Sequence, residues 1–227
     1  ILTRDRLLAM TSFSTYGMCK GERTGDPICD RTVTLHFKGA TVIIIADGCN
    51  WGRRPFAAAK DACHGSEVSL QESLPSCKSI RDVGNALVQA CCDAQKTILQ
   101  GKPVLAVGTT TLLINVVLNT ANGSYVVIIN IGDCRTILYS LRDQCSHSLC
   151  GRFRKSAKDM ANAKSQIGAA KSIDPVLDDC ELKAYCISEG DYIIVGSDGF
   201  HDNYDPQFYY GLPKYKFDMK EPECNKL

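Results

Sequence analysis

Alternating polar and apolar residues at positions 32–38 predict a half-buried β-strand. The run at 41–46 is largely β-branched and predicts a strand that is buried on both faces. Strand-like periods return later in the chain, and we predict four further strands at 110–118, 124–131, 135–140 and 192–195. The chain is therefore predicted to be rich in β-structure.

Two helices are predicted between the strands at 41–46 and 110–118. Turn-forming residues at 47–52 lead to Pro55, which can open the first helix. The second helix follows Ser79, a favourable N-cap residue, and carries apolar residues at 3.6-residue spacing as far as Ile98. Residues 145–170 are rich in Lys, Ala and Ser without a clear period, so we expect a loop there, with one short helix near 157–164.

The order of these elements predicts an α+β fold. Asn122-Gly123 is a hairpin signal, and the short turns between the later strands require antiparallel pairing. Because a helix pair separates two blocks of strands, we expect stacked antiparallel sheets with helices outside them, rather than a parallel doubly wound sheet. A chain of 227 residues without an evident linker or repeat is interpreted as a single domain over residues 1–227.

Composition and charge narrow the classes of partner. The 26 Lys plus Arg residues balance 25 Asp plus Glu residues, so the net charge of +1 gives no electrostatic reason to expect a nucleic acid or a membrane surface. Hydrophobic residues make up 44% of the chain, which is sufficient for a substantial core. No apolar run approaches the about 20 residues that a membrane-spanning helix needs.

Thirteen cysteines form an unusually large set, and an odd number cannot pair completely within one chain. Residues 1–6 carry charges where a secretory signal requires apolar residues, so we expect free thiols and a reducing, cytoplasmic location. Cys145, His147 and Cys150 form a near-cluster of metal-ligand types. A zinc site there would need a fourth ligand, which the spacing does not supply.

Two separate segments run a buried strand directly into an Asp-Gly pair, at Asp47-Gly48 and at Asp198-Gly199. Carboxylate and backbone carbonyl oxygens are the ligands that Mg²⁺ and Mn²⁺ prefer. Two carboxylates brought together repel each other unless a cation lies between them. Each pair could instead be a simple turn after a strand, but the repetition, with Asp133 after a third strand, favours a divalent-cation site.

Five segments, in order, resemble the motifs of the metal-dependent protein phosphatases of the protein phosphatase 2C (PP2C) type. They are Ile28-Cys29-Asp30-Arg31 for the early acidic motif, Ala46-Asp47-Gly48 for Asp-Gly-His-Gly, Gly108-Thr109-Thr110-Thr111 for the Gly-Ser/Thr-Thr strand, Asn130-Ile131-Gly132-Asp133-Cys134-Arg135 for Asn-x-Gly-Asp-Ser-Arg, and Ser197-Asp198-Gly199-Phe200-His201-Asp202 for Ser-Asp-Gly-x-x-Asp. The sequence Asp-Gly-Cys-Asn-Trp-Gly at 47–52 resembles a divergent branch of this family.

The resemblance implies a four-layer α-β-β-α fold, in which two antiparallel sheets form a sandwich flanked by helix pairs. It also implies a site for two Mg²⁺ or Mn²⁺ ions, with Asp47 as the bridging ligand and with the Gly48 carbonyl, Asp198 and Asp202 as further ligands. Asp30 would act through water. A metal-activated water would then hydrolyse the phosphoserine or phosphothreonine of a phosphoprotein substrate, without a covalent enzyme intermediate.

Several family positions are changed in this chain. The family histidine that is thought to protonate the leaving oxygen is Cys49, and His201 is the nearest candidate to replace it. The early acidic pair is Cys29-Asp30, so one carboxylate is missing. Where the family has a phosphate-binding arginine this chain has Gly25, with Arg23 and Arg31 nearby as candidate phosphate ligands.

Two further family motifs are absent from the sequence: the flap with its Arg-Ala-x-Gly-Asp signature and the final Asp-Asn-x-Thr motif. Either the domain is incomplete at its C-terminus or its metal site has fewer ligands. Two hypotheses follow. The chain is a metal-dependent Ser/Thr phosphatase with low or conditional activity, in which Asp47, Asp198, Cys49 and His201 are the catalytic candidates, or it is a pseudophosphatase that serves as a protein-interaction or regulatory module.

Overall fold

The computed structural model describes residues 8–12, 17–23, 25–151, 163–169 and 172–202. Its strands are β1 (Met18–Cys19), β2 (Glu22–Arg23), β3 (Arg31–Phe37), β4 (Ala40–Ala46), β5 (Thr109–Thr110), β6 (Leu112–Thr120), β7 (Gly123–Ile131), β8 (Arg135–Ser140), β9 (Cys145–Cys150), β10 (Ile167–Gly168), β11 (Cys180–Ile187) and β12 (Tyr192–Gly196). Its α-helices are α1 (Arg53–Ser73), α2 (Ile80–Leu99) and α3 (Asp198–His201).

Two sheets dominate the fold. The larger has five strands in the order β11-β7-β6-β4-β3, and the smaller has three in the order β12-β8-β9. Every strand pair in these two sheets is antiparallel, as the short connections predicted. The described residues also form two small two-stranded sheets, β1-β2 and β10-β5.

Apolar side chains form two cores, one on each face of the five-stranded sheet. The first core joins that sheet to α1 and α2, with Ile44, Leu87 and Ile114 fully buried in it. The second core lies between the two sheets and includes Leu113 and Leu138. This layering follows from the near-continuous apolar runs of β4, β6 and β7, which are covered on both faces.

The α+β prediction with two antiparallel sheets is therefore confirmed. One helix pair, α1 with α2, covers the five-stranded sheet, and a second helix layer has no counterpart in the part of the chain that the structure describes. The short helix predicted near 157–164 falls largely on residues 152–162, which lie outside the described residues. No helix in the described ranges is both long and apolar enough to cross a membrane.

Three local predictions need correction. The loop expected from position 145 onward begins with strand β9, an edge strand in which His147 interrupts the face shared by Cys145 and Leu149. Strand β11 was not predicted, because Glu181 and Lys183 interrupt its apolar pattern on one face. The hairpin between β6 and β7 turns at Ala121 and Asn122, since the pairing of Thr120 with Gly123 closes the ladder one residue earlier than the Asn-Gly signal suggested.

Candidate active site

Asp47 is the first residue after β4, and the neighbouring strand fixes its backbone. Its carbonyl oxygen accepts hydrogen bonds from the hydroxyl of Thr110 and from the backbone N–H of Thr111, both at 2.8 Å. Its own N–H donates to the Thr111 hydroxyl at 3.2 Å. The Gly-Thr-Thr-Thr segment therefore sets the position of this aspartate, a role that the sequence did not reveal.

Gly48 is required by a close approach of the backbone. A Cβ atom at this position would lie 2.7 Å from the carbonyl oxygen of Pro55 and 2.8 Å from the Cβ of Cys29. The start of α1 and the segment before β3 thus pass directly against the Asp-Gly turn. A side chain at position 48 would push these segments away from the site.

Asp30 and Asp198 reach Asp47 from two other segments of the chain. Asp30 precedes β3, and its carboxylate accepts a hydrogen bond of 2.6 Å from the hydroxyl of Ser197. Asp198 follows β12 as the first residue of α3. The carboxyl group of Asp47 lies within hydrogen-bonding reach of both of these aspartates. The two Asp-Gly turns, far apart in sequence, therefore meet, with Asp47 in the middle of a row of three carboxyl groups.

Burial and mutual repulsion raise the pKa values of Asp47 and Asp30. Desolvation, followed by the charges of Asp198 and Asp30, holds the pKa of Asp47 well above its usual range. Burial also raises the pKa of Asp30, although the Ser197 hydroxyl opposes the shift. Asp133 adds a fourth negative charge to the cluster. The sequence analysis used Asp133 in support of a cation site but did not include it among the candidate ligands.

The three carboxylates line a cavity of about 420 Å³ that opens to solvent beside Trp51. Its polar lining includes Asp30, Asp47, Asn50, Ser197 and Asp198. Trp51 is 64% exposed and stands at the rim. A cavity of this size is large enough for a small charged group such as a phosphate and part of its carrier.

Cys49 lies beside the row rather than in this cavity. It lines a neighbouring pocket together with Arg53, Arg54 and Gly108. Burial, with the charges of nearby aspartates, raises the pKa of its thiol to about 12, although a hydrogen bond from Thr109 opposes the shift. The thiol is therefore protonated at neutral pH, which is the opposite of an activated nucleophilic cysteine.

His201 and Asp202 are buried, and neither is among the described residues that line the cavity. The Nε2 of His201 lies 3.0 Å from the carbonyl oxygen of Asp133, so it donates a hydrogen bond there. Its Nδ1 lies 3.0 Å from a carboxylate oxygen of Asp202, an ion-pair separation without hydrogen-bond alignment. The structure thus places this pair behind the loop that carries Asp133.

The two candidate phosphate-binding arginines also lie outside the described lining of the cavity. The guanidinium of Arg31 stacks 4.1 Å above the ring of Phe56 and donates to the carbonyl oxygen of Asp30 at 2.8 Å. Arg23 lies on the short strand β2. Arg31 therefore fixes the backbone beside Asp30 and packs on α1.

The donor set of the row consists of carboxylate oxygens and the backbone around Gly48, which are the ligand types of hard divalent cations. The three carboxylates do not form a compact cage. Among the described residues, the group of three donor atoms lying within 4.8 Å of one another is found elsewhere, at Asp143, Cys145 and His147. The three carboxylates of the row are therefore not close enough together to hold one ion jointly in this arrangement.

No family model matches the chain. A PP2C-like domain-containing protein of Drosophila melanogaster, CG9801, is 30% identical to it in an alignment of 210 residues that covers 86% of this chain and 29% of the fly protein. The chain therefore spans less than a third of the length of this relative.

Solved structures show the same fold. The serine/threonine phosphatase of S. agalactiae aligns with a TM-score of 0.61 at 16% identity, over 78% of this chain and 76% of that one. A sex-determining protein of C. elegans also aligns with a TM-score of 0.61, at 12% identity, over 78% of this chain and 50% of that one. The resemblance to the PP2C-type phosphatases and the mixed fold of helices and antiparallel sheets that it implies are thus confirmed.

Proposed function

We propose that this phosphatase-like domain is a metal-dependent protein phosphatase that hydrolyses phosphoserine or phosphothreonine. The observation that carries the proposal is the position of Asp47, which is buried between the carboxyl groups of Asp30 and Asp198 at the wall of a cavity. Such a row is costly to bury unless cations neutralise it.

The donor types fit Mg²⁺ or Mn²⁺, and we assign Asp47 as the shared ligand. Asp198 and the carbonyl oxygen of Gly48 would be the further metal ligands, and Asp30 would act through a water molecule. When bound, the two ions would supply a water of lowered pKa as the nucleophile and would stabilise negative charge on the phosphoryl oxygens. The assignment of Asp202 as a ligand stays a prediction, because its carboxylate faces His201 in the structure.

Other residues of the site orient the carboxylates and supply a proton. Ser197 holds the Asp30 carboxylate through its 2.6 Å hydrogen bond, and Thr110 with Thr111 holds the backbone of Asp47. Such fixed geometry contributes to catalysis because the site need not reorganise during the reaction. Cys49, which is protonated beside the row, would be the proton donor for the leaving oxygen, although a weak one.

The test is Mn²⁺-dependent hydrolysis of p-nitrophenyl phosphate by the full chain and by its variants Asp47→Asn and Asp198→Asn. We expect each variant to lose at least about 10²-fold in kcat, in line with loss of a group that acts on the transition state. Asp178→Asn, an exposed aspartate in the turn before β11, is the matched control and should retain activity. Thermal melting checks that the variants are folded.

Wild-type protein without Mn²⁺-dependent activity, or equal activity in all variants, would contradict this function. The second candidate, a pseudophosphatase that binds a protein partner, would then be preferred. The observation favouring it is Cys49, whose high pKa makes it a poor acid. Cys49→His separates the two: an active enzyme should gain most with a phosphoserine peptide, whose leaving group needs a proton, and least with the aryl ester.

We place either activity in the cytoplasm, acting on a phosphoprotein or a protein partner. Eleven cysteines in the described part of the chain are free thiols, and five of them are buried. Free thiols in this number are typical of a reducing compartment.

A further inference from the structure

A separate group of metal-binding side chains lies on the hairpin between β8 and β9. One ligand atom from each of Asp143, Cys145 and His147 lies within 4.8 Å of the other two. The Sγ of Cys145 is 3.0 Å from the Nε2 of His147. A carboxylate, a thiol and an imidazole at this spacing are the three ligand types that zinc takes in proteins.

The hairpin itself produces this convergence. Cys145 and His147 are two residues apart on β9, so their side chains lie on the same face of the strand. His147 pairs with Leu138, whose side chain belongs to the core between the sheets, so the pair faces the inner side at the edge of the sheet. Both side chains are partly buried, which limits the positions they can adopt.

Asp143 is held toward this pair by the turn. Its backbone N–H donates to the hydroxyl of Ser140 at 3.2 Å, and the same hydroxyl lies 3.2 Å from its carboxylate. Its other carboxylate oxygen is 3.6 Å from the Nε of Arg142, both side chains being largely exposed, so this surface ion pair costs little to break. The carboxylate is thus anchored but available.

The hairpin is remote from the carboxylate row. Asp133 stands before the first residue of β8, and the hairpin follows its last residue. Six residues of strand separate the two by about 20 Å. Cys150, which the sequence had grouped with Cys145 and His147, pairs with Thr136 near the other end of β9 and is only 2% exposed, so Asp143 takes its place.

We propose that this hairpin binds one Zn²⁺ through the Sγ of Cys145, the Nε2 of His147 and a carboxylate oxygen of Asp143. Three protein ligands leave a fourth tetrahedral position for water. As the zinc–sulfur bond forms, the thiol proton is released to solvent and the Cys145–His147 hydrogen bond is replaced. Thiolate and imidazole favour Zn²⁺ over Mg²⁺, so the hairpin and the carboxylate row would select different ions.

Bound zinc would link Asp143 in the turn to Cys145 and His147 on the edge strand β9. Because the ion binds the folded hairpin and not the unfolded chain, it should raise the melting temperature of the protein. The inference does not depend on phosphatase activity, since none of its ligands lies in the carboxylate row.

The experiment uses Co²⁺ as a spectroscopic probe for Zn²⁺, added to the metal-free full chain in the Asp47→Asn background, which weakens the carboxylate row. A thiolate ligand gives Co²⁺ a sulfur-to-metal charge-transfer band. We expect one equivalent of Co²⁺ to develop this band and one equivalent of Zn²⁺ to remove it. Cys145→Ser should abolish the band, and His147→Gln and Asp143→Asn should each weaken binding at least about tenfold.

Cys186→Ser is the matched control, because Cys186 is an exposed cysteine on β11 outside the hairpin, and its band should be unchanged. Near-ultraviolet circular dichroism of the metal-free proteins checks that each variant keeps its packing. A band that survives Cys145→Ser, an affinity unaffected by His147→Gln, or the absence of a band in the Asp47→Asn chain with its hairpin intact would overturn the proposal.

Discussion

The Asp-Gly pair at the end of β4 meets two separate physical requirements. Asp47 must be held with its carboxyl group between two others, and Thr110 and Thr111 do this through its backbone. Gly48 must leave room for Pro55 and Cys29, which approach within 3 Å of where its Cβ would stand. The Asp-Gly pair therefore marks a point where the end of β4, the start of α1 and the segment before β3 pack tightly together, in addition to providing a candidate metal ligand.

At this scale we predict opposite effects for one substitution at two glycines. Gly48→Ala should lower the free energy of unfolding by about 1–3 kcal/mol, because backbone atoms must move to admit the methyl group. Gly84→Ala should raise it by about 0.5–1 kcal/mol, because Gly84 lies inside α2 and its added Cβ meets nothing closer than 3.7 Å. Urea unfolding of both variants measures the difference. Equal effects would contradict the close approach at Gly48.

Among the elements, α2 is the one whose start is best defined. Ser79 accepts a hydrogen bond from the N–H of Asp82, and the Asp82 carboxylate accepts from the N–H of Ser79, which together form a capping box. The N–H of Lys78 donates to the same carboxylate at 3.0 Å. These donors, with that of Lys78 the strongest, lower the pKa of Asp82 from its ordinary value of 3.8.

The lowered pKa predicts a pH-dependent contribution of Asp82 to stability. A carboxyl group with a lower pKa in the folded state stabilises the protein above its unfolded pKa, and this contribution is lost as the pH falls through the folded value. Asp82→Asn should therefore lower the urea midpoint at pH 7 and lower it progressively less below pH 3.8. Asp178→Asn, the control, should leave the urea midpoint unchanged at pH 7 and in acid. An Asp82→Asn effect that grows on acidification would contradict the sign.

Elements with strong local signals could be predicted from the sequence, and those that depend on a neighbour could not. The stripe and cap of α2 and the bounds of β8 match the expectation closely. Strands β9 and β11 lie at sheet edges, and polar residues such as His147 and Lys183 hide their period. Both segments form strands because a neighbouring strand pairs with them, and the sequence of the segment alone does not identify that neighbour.

The same limit applies to the candidate site. Asp30, Asp47 and Asp198 could be chosen as site candidates because each lies in a recognisable motif. The structure brings these three residues together. The burial of His201 and the stacking of Arg31 on Phe56 depend on long-range packing and could not be read from motif spacing. For the same reason Asp143 could not be chosen over Cys150 as the neighbour of Cys145.

At the scale of the whole molecule, polar contacts across the apolar core set how the two sheets face each other. The hydroxyl of Thr136 on β8 donates to the side-chain oxygen of Asn115 on β6 at 2.8 Å, and both side chains are fully buried. The hydroxyl of Tyr185 on β11 donates to the carbonyl oxygen of Leu149 on β9, also at 2.8 Å. Apolar packing alone tolerates sliding, whereas buried hydrogen bonds penalise it.

Thr136→Val tests this cross-sheet contact, because it keeps the shape of the side chain and removes the donor. The Asn115 oxygen would lose its Thr136 donor in a dry interior, so unfolding should cost about 1–3 kcal/mol less than in the wild type. Thr41→Val, near the start of β4 where the hydroxyl contact is exposed, is the control and should change stability by less than about 0.5 kcal/mol. Urea unfolding with a common m-value makes the comparison.

The double variant Thr136→Val with Asn115→Leu decides whether the penalty comes from the orphaned oxygen. When both polar partners are replaced by apolar groups, the desolvation penalty disappears, so the double variant should be less destabilised than the sum of the single variants. Strict additivity would mean that the Thr136–Asn115 hydrogen bond does not contribute to the alignment of the sheets. Since Asp133 and Asp198 are carried by β8 and β12 while Asp47 is carried by β4, a loss of this alignment should also move the carboxylates apart. Thr136→Val should then weaken Mn²⁺-dependent activity, while Thr41→Val should not.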